Sequence, residues 1–256
     1  MLKNSSIKLN TTISPSNAYN KNVKWSSSNT NIATVDSNGN VTGKNAGTVT
    51  ITALAKDGTA IKGTYSVKVI LTELSFKDVT VDNWYYNAVK YTYENEMISG
   101  YNTTTFAPND KLTRGMLVTI LWRMEGSPNN NGKSKFSDVE TNSWYAKAIK
   151  WAADNGVVNG YKNGKFGPKD NITRQDLAGI LRNYAIYKKK NVNKTADLTK
   201  YNDYKTISSY ATTSMSWAVS TGVISGNKNG TLTPKGNATR AEAAGMIYNY
   251  CINIGR

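Results

Sequence analysis

The chain has 256 residues and a formal charge of +15, from 32 Lys and Arg against 17 Asp and Glu. It has no His, which is the commonest general base and metal ligand, and its single Cys can form neither an internal disulfide nor a zinc site with two thiolates. No segment has the ~20 apolar residues that a membrane-spanning helix needs. We therefore expect no metal, no cofactor and no membrane span, and the positive charge favours a polyanionic partner.

Residues 1–72 have the pattern of a small β-sandwich, or of part of one. Residues 49–53 and 65–69 alternate apolar with polar or small side chains, as half-buried strands do. Residues 35–41 predict a hairpin in which Asn38 and Gly39 supply a turn with positive φ. No helical periodicity appears in this part of the chain.

Four phrases of this segment resemble the bacterial Ig-like (Big) family, at residues 13–18, 23–29, 32–36 and 41–43. The resemblance runs from about residue 7 to 70 and implies a spacer or adhesion module of a surface protein. The strand that the family has before this point is missing or reduced to residues 2–9. No apolar run follows Lys3, so no secretion signal begins here, and we expect an exported protein to be longer than this chain.

From residue 74 onward the chain repeats itself three times. Two landmarks recur in step, spaced 60 residues and then 66 residues apart. They are the glycines Gly100, Gly160 and Gly226 and the arginines Arg114, Arg174 and Arg240. Such repeats bury their apolar faces on one another, so three similar binding surfaces are expected rather than one active site.

Each repeat predicts two helices. In the second repeat, one apolar face of the first helix is formed by Trp144, Ala148, Trp151 and Ala152. The same face in the other repeats includes Trp84 and Trp217. We expect these tryptophans to be mostly core, with one edge of each free to line a groove. The second helix begins at each Thr-Arg pair, with Thr as the N-cap and Glu242 completing a capping box in the third repeat.

The three arginines stand at the positive end of a helix, where an exposed cation is unfavourable by roughly 0.3–1 kcal/mol. Capping explains the threonines but not the arginines. Two explanations remain open: an anion docks beside the guanidinium, or the arginine forms an internal salt bridge to an acid that starts a repeat. Both hold if the acid merely orients the arginine. Those acids are Asp78, Asp138 and Asp203.

The repeated glycines either allow a tight turn with positive φ or let a ligand approach the backbone closely. Tyr101 and Tyr161 follow the first two of them, so we count these tyrosines among the candidate binding residues. Aromatic and amide side chains together are typical of sugar-binding surfaces, although aromatic residues also fill small cores.

The motifs Phe-x-Asp-Val, Trp-Tyr-x-x-Ala-Val, Gly-Tyr, Phe-x-Pro and Thr-Arg-Ala-Glu, in that order, resemble the S-layer homology (SLH) domain. The copies occupy residues 74–127, 134–184 and 199–252. The resemblance implies a monomer whose three repeats form a helical pseudo-trimer, so the fold class is α+β multidomain. It also implies that grooves between repeats bind secondary cell wall polymers, often pyruvylated, that are linked to peptidoglycan outside the cell. The carboxylate of a pyruvate ketal suits a planar guanidinium at a helix N-terminus.

The third copy departs most from the family pattern, with Tyr201, Asn227 and Leu232 where Phe, Tyr and Phe are usual. The sequence therefore predicts that Arg240, in the same copy, contributes least to binding.

Three functions remain to be weighed. The first is a non-catalytic wall anchor, either by itself or as an accessory region of a larger glycoside hydrolase or adhesin. Hydrolysis within this chain would need a positioned carboxylate pair, which the sequence does not supply. Nucleic-acid binding is prompted only by the charge, which is spread along the chain without a nucleic-acid motif.

Overall fold

The computed structural model describes residues 1, 3–45, 47–69 and 74–255, and the chain divides into two compact units, Met1–Leu74 and Ser75–Arg256. The predicted boundary at residue 72, and residue 2 of the expected first strand, lie outside the described residues. Each unit has its own core and is considered by itself.

The N-terminal unit consists of two three-stranded antiparallel sheets, ordered β1-β4-β3 and β2-β5-β6. The strands are β1 (Ser6–Lys8), β2 (Val23–Ser27), β3 (Ala33–Val35), β4 (Asn40–Gly43), β5 (Gly47–Ala55) and β6 (Lys62–Val69). Alternate residues of β5 and β6 face a small apolar core that contains Val49, Ile51, Val67 and Val69. The predicted Ig-like strand region is confirmed.

The hairpin between β3 and β4 forms where the sequence predicts it. Gly39 has a φ of +81°, whereas Asn38 does not have the positive φ that was predicted for it. A Cβ on Gly39 would overlap the Trp25 ring. The Asp36 carboxylate accepts the backbone N–H groups of Asn38 and Asn40, both at 2.9 Å. The turn therefore depends on Asp36 as well as on the glycine.

The C-terminal unit is mainly helical, with two α-helices in each repeat. They are α1 (Tyr86–Glu94), α2 (Arg114–Met124), α3 (Ala146–Asp154), α4 (Arg174–Tyr187), α5 (Thr212–Ser220) and α6 (Arg240–Asn253). Two short 3₁₀ helices, Tyr204–Thr206 and Ser209–Ala211, precede α5. The second helix of each repeat packs against the first helix of another repeat: α2 on α3, α4 on α5, and α6 on α1.

The three repeats close into a ring through backbone hydrogen bonds just before each second helix. The Leu112 N–H donates to the Ala238 carbonyl, the Ala238 N–H to the Ile172 carbonyl, and the Ile172 N–H to the Leu112 carbonyl, each at 2.9 Å. Because the last repeat binds the first in the same way as its neighbours bind each other, the unit is a closed pseudo-threefold assembly and not an open solenoid.

We expect Leu112→Ala to destabilise the whole helical unit, because Leu112 is fully buried at the ring. A large-to-small change at such a site costs about 2–5 kcal/mol. Urea unfolding followed by helical circular dichroism should show a single transition at lower urea. Ile186→Ala is the control because Ile186 is 49% exposed, and it should change stability by less than about 0.5 kcal/mol. Loss of only part of the helical signal in Leu112→Ala would contradict a cooperative ring.

Candidate functional site

The candidate site begins at the N-termini of α2, α4 and α6. Thr113, Thr173 and Thr239 each accept the backbone N–H of the residue three positions on, at 3.1–3.2 Å. Glu242 completes the predicted capping box by accepting the Thr239 N–H at 2.8 Å. The caps fix the backbone so that the next residue, an arginine in every copy, is the first residue of its helix.

Each of these arginines reaches into a different repeat from its own. In each case the arginine Nε donates to a backbone carbonyl in a loop of that other repeat, at 2.9 Å. The pairs are Arg240 with Phe106, Arg114 with Phe166, and Arg174 with Leu232. The loop of the second repeat is therefore bound by the arginine of the first repeat, the loop of the third by the arginine of the second, and the loop of the first by the arginine of the third.

The acids at the start of the repeats hold the same loop residues from the other side. Asp78 accepts the N–H groups of Phe106 and Ala107, at 2.9 and 2.7 Å. Asp138 and Asp203 do the same in the other repeats, at 2.7–2.9 Å. The alternative of a direct salt bridge from the arginine to these acids is therefore wrong for the described residues, because each acid binds backbone N–H groups and the arginine binds a carbonyl.

Two of the three guanidinium groups lie over aromatic rings. Arg240 Cζ is 4.7 Å from the ring centroid of Tyr101 and 4.6 Å from that of Phe106. Arg114 has the same relation to Tyr161 and Phe166, at 4.8 and 4.7 Å. Burial lowers the pKa of Arg240, and the nearby Tyr101 and acids act in the opposite direction.

Arg240 does not contact the altered loop of its own repeat, which was the reason to expect that it contributes least to binding. Its loop is that of the first repeat, which keeps both rings. Arg174 is the arginine that faces the altered third copy, where Leu232 replaces the ring. Arg174 pairs instead with Glu242, at 3.1 Å. Helix-local reasoning could not show this, because the partners are 52 to 134 residues apart in the chain.

The prediction of positive φ at Gly100, Gly160 and Gly226 is wrong, since none of the three is in that conformation. A Cβ at each would overlap the aromatic ring that starts its repeat, which belongs to Phe76, Phe136 or Tyr201. These glycines are needed because a ring packs directly on their backbone.

Three grooves lie between the repeats, and each is lined by residues from all three. We number each groove by the repeat that supplies its glycine loop and its second helix. Groove 1 is lined by Gly100, Tyr101 and α2, with Trp144 and Arg240. Groove 2 is lined by Gly160, Tyr161 and α4, with Tyr210 and Arg114. Groove 3 is lined by Gly226, Asn227 and α6, with Trp84 and Arg174. Their volumes are 180, 450 and 710 Å³.

The tryptophans divide into two classes. Trp84 and Trp144 are 72% and 60% exposed, so the expectation that they are core residues is wrong. Both precede their helices, which begin at Tyr86 and Ala146, so helical periodicity does not apply to them. Trp151 and Trp217 are buried, at 3% and 0% exposure, and neither lines a groove.

Sequence reasoning missed two glycines inside the groove helices. Gly179 of α4 lines groove 2 and Gly245 of α6 lines groove 3. A Cβ on Gly179 would meet nothing within 4 Å, and one on Gly245 would meet only the Trp84 ring at 3.6 Å. Glycine in a helix interior costs about 0.5–1 kcal/mol relative to alanine, and packing does not require it here. Thr119 holds the equivalent position in groove 1, which is the smallest. The sequence did contain a signal for these two positions, because a glycine in the middle of a predicted helix stands five residues after the arginine in both repeats.

In the part of the chain that the structure describes, no group of His, Cys, Asp and Glu could hold a metal ion. None of the described helices is both long enough and apolar enough to cross a bilayer.

We expect Asp138→Asn to loosen the loop that Arg114 contacts. Burial acts to raise the pKa of Asp138, but the hydrogen bonds from Phe166 and Gly167 outweigh it, so this pKa lies below its ordinary value. Losing the charge should cost about 1–3 kcal/mol near neutral pH. A carboxyl with a depressed folded pKa stabilises the fold above its unfolded pKa of about 3.9, and that stability is lost as the pH falls through the folded value.

Urea unfolding of wild type and Asp138→Asn at about pH 6 and about pH 2.5 tests this. The difference in stability should be largest at the higher pH and shrink at the lower one. Asp82→Asn, at an exposed position, is the control and should show no such difference. An equal loss at both pH values would contradict the role of the charge.

Comparison with known proteins agrees with this architecture. Residues 1–65 match the bacterial Ig-like domain (group 2), and residues 75–115, 135–178 and 200–244 match the S-layer homology domain. An amylopullulanase of Thermoanaerobacterium thermosulfurigenes is 34% identical over 68% of this chain and 9% of its own length. A surface-layer 125 kDa protein of Lysinibacillus sphaericus is 40% identical over 43% of this chain and 10% of its own.

A cellulosome-anchoring protein of Acetivibrio thermocellus is 26% identical over 59% of this chain and 34% of its own length. The chain thus spans about a third of this relative and about a tenth of the other two. The family matches rest on the repeats that build the three grooves and on the strands of the N-terminal unit. The chain belongs to the S-layer homology domain family, with three copies of that domain following a bacterial Ig-like domain.

Proposed function

We propose that the helical unit is a non-catalytic anchor that binds an acidic polysaccharide of the bacterial cell wall. The polymer would be a secondary cell wall polymer attached to peptidoglycan, and the N-terminal unit would act as a spacer on the cell surface. One observation carries the proposal: each groove brings together a guanidinium and an exposed aromatic ring that come from different repeats. Similarity to proteins named for the surface layer and for cellulosome anchoring supports it.

The two groups have complementary roles toward a glycan. An exposed indole offers an apolar face to the C–H face of a sugar ring, and its N–H remains free to donate. A guanidinium at a helix N-terminus offers paired donors to a carboxylate such as that of a pyruvate ketal. The ligand-binding set in this proposal includes the groove arginines, Trp84, Trp144, Tyr101 and Tyr161. The acids and loop glycines named from the sequence would act indirectly, by holding the loops.

Loss of the exposed tryptophans should release the protein from cell walls. Trp84 and Trp144 lie on the surface, so replacing both with alanine should leave the fold intact. Truncating an aromatic anchor costs about 1–2 kcal/mol, which corresponds to roughly a five- to thirtyfold weaker interaction per groove. Co-sedimentation with purified peptidoglycan that still carries its wall polymer measures the effect.

Tyr65→Ala is the matched control because Tyr65 is also an exposed aromatic residue (56%) and lies on the other unit. It should bind walls as the wild type does. A parallel DNA shift assay tests the competing hypothesis that arises from the charge of +15. Tight DNA binding together with unchanged wall binding by the double variant would contradict the proposal.

The mid-helix glycine gives a test in which stability and binding should move in opposite directions. Gly179→Ala adds a methyl group into open space and should raise the free energy of unfolding by about 0.5–1 kcal/mol. If a sugar lies against this part of α4, the same methyl group should weaken wall binding. Urea unfolding and co-sedimentation of one variant measure both. A variant that is more stable and binds walls unchanged would place the glycan elsewhere in groove 2.

A further inference from the structure

The N-terminal unit has a free sheet edge that the proposed anchor does not use. Strand β6 is the last strand of its sheet and pairs with β5 alone. In the same register, the Ile61 carbonyl accepts the Ala55 N–H at 2.9 Å. Backbone groups alternate between the two edges of a strand, so residue 61 and every second residue after it face β5. The N–H and C=O groups of Lys62, Thr64 and Ser66 therefore point away from the sheet.

A second contact shows the same orientation. The Lys68 carbonyl, two residues after Ser66, accepts the amino group of Met1 at 2.8 Å. This edge can therefore accept a donor from outside the sheet. The structure shows no hydrogen bond from the backbone of Lys62, Thr64 or Ser66 to a described residue outside the sheet. An unpaired edge of this kind is a template for another strand.

An apolar groove of about 390 Å³ lies beside this edge. Residues 9–13 and 62–65 line it, together with the inward-facing side chains of Val23, Trp25, Ile51 and Ala53. Ile61 and Tyr65 also line the groove and are 69% and 56% exposed. A Cβ on Gly63 would meet nothing within 4 Å. A strand added to β6 directs every second side chain into this groove, and those side chains should therefore be apolar.

The opposite face of the sheet is positively charged. Its three strands contain Lys24, Lys62 and Lys68 and no Asp or Glu, and Lys24 and Lys62 lie in one row across the sheet with Leu54 between them. The side chains that an added strand directs to this face should therefore be acidic. Two copies of this chain suit the edge less well, because their β6 lysines would face each other.

We infer that the free edge of β6 binds an extended protein segment in which acidic and apolar residues alternate, and that binding occurs by strand addition. The outward N–H and C=O groups of β6 bind the backbone of the segment. The groove takes its apolar side chains, and Lys62 and Lys68 lie beside its carboxylates. The N-terminal unit thus has a partner of its own. The inference goes beyond wall anchoring and does not depend on the three grooves of the other unit.

NMR titration of the full chain with a synthetic peptide tests the inference. The probe is a short acetylated and amidated peptide in which glutamate alternates with valine. One control peptide has lysine in place of glutamate, and another has the same composition in an order without alternation. The backbone amides of Thr64 and Ser66 report on the edge. The alternating acidic peptide should protect both amides from hydrogen exchange and bind roughly tenfold more tightly than either control.

Two changes separate the backbone contacts from the charge. Thr64→Pro removes an N–H that points away from β5, so pairing within the sheet is kept, and proline is tolerated on an edge strand in this orientation. Thr64→Val keeps the N–H and is its matched control. Lys62→Glu combined with Lys68→Glu reverses the charge beside the edge. Lys21→Glu combined with Lys44→Glu changes the net charge equally at exposed positions outside the edge and is the second control.

Thr64→Pro and the Lys62/Lys68 variant should each weaken binding of the acidic peptide by about tenfold or more, and the two controls by less than about threefold. The Lys62/Lys68 variant should bind the lysine peptide instead. If Thr64→Pro loses the folded amide spectrum of the N-terminal unit, the result for the Lys62/Lys68 variant decides.

Equal affinity for the acidic and the lysine peptide, or unchanged binding by the Lys62/Lys68 variant, would overturn the inference. So would protection of the Thr64 and Ser66 amides that rises with protein concentration without peptide, because a second copy would then occupy the edge. Wall co-sedimentation of the same variants should equal that of the wild type, since the three grooves are unchanged. Failure of the peptide titration therefore leaves the anchor function standing.

Discussion

The helical unit depends on one interaction that is made three times: the backbone of a single loop residue is held from both sides. The N–H of Phe106 donates to Asp78 of its own repeat, and its carbonyl accepts from Arg240 of another repeat. An arginine buried to this extent would be costly if it were unpaired. The carbonyl, the rings of Tyr101 and Phe106, and the nearby acids offset that cost, so the charge can remain inside a small protein unit.

This arrangement explains why one residue type can serve both the fold and the site. Nε of each arginine donates to a loop carbonyl of another repeat, and Nη2 of Arg114 and Arg240 donates to a second carbonyl, while all three side chains also line a groove. Of the two explanations that the sequence leaves open, the salt bridge to the acids that start the repeats does not occur in the described structure, and each arginine has a different internal partner. That partner is a backbone carbonyl, which does not cancel the positive charge, and among the three groove arginines of the described structure Arg174 alone forms a salt bridge with a carboxylate.

The ring also allows the three copies to diverge without losing the fold. The hydrogen bonds that close it involve backbone atoms, so they tolerate changes in the side chains that face the grooves. The groove helices α4 and α6 have glycine where α2 has Thr119, and groove size differs with it. Groove charge differs because Met116 stands where the other two grooves have Asp176 and Glu242. Three equivalent frames can in this way carry three different groove surfaces.

The sequence by itself determined the features that arise from neighbours along the chain. The strand alternation, the threonine caps, the capping box at Glu242 and the three-copy register all involve residues a few positions apart or an exact repetition of a pattern. The arginines could be singled out for the same reason, because a cation after a helix cap has no local explanation.

Only the tertiary structure decided which loop each arginine meets. Arg240 and Phe106 are separated by 134 residues, and their contact follows from the direction in which the ring closes. The sequence could not predict the exposure of Trp84 and Trp144 either, because both lie just outside the helices whose periodicity suggested burial. Gly179 faces empty space only because three repeats leave a groove there. Each of these features depends on the distance between repeats in space, which no pattern along a single repeat contains.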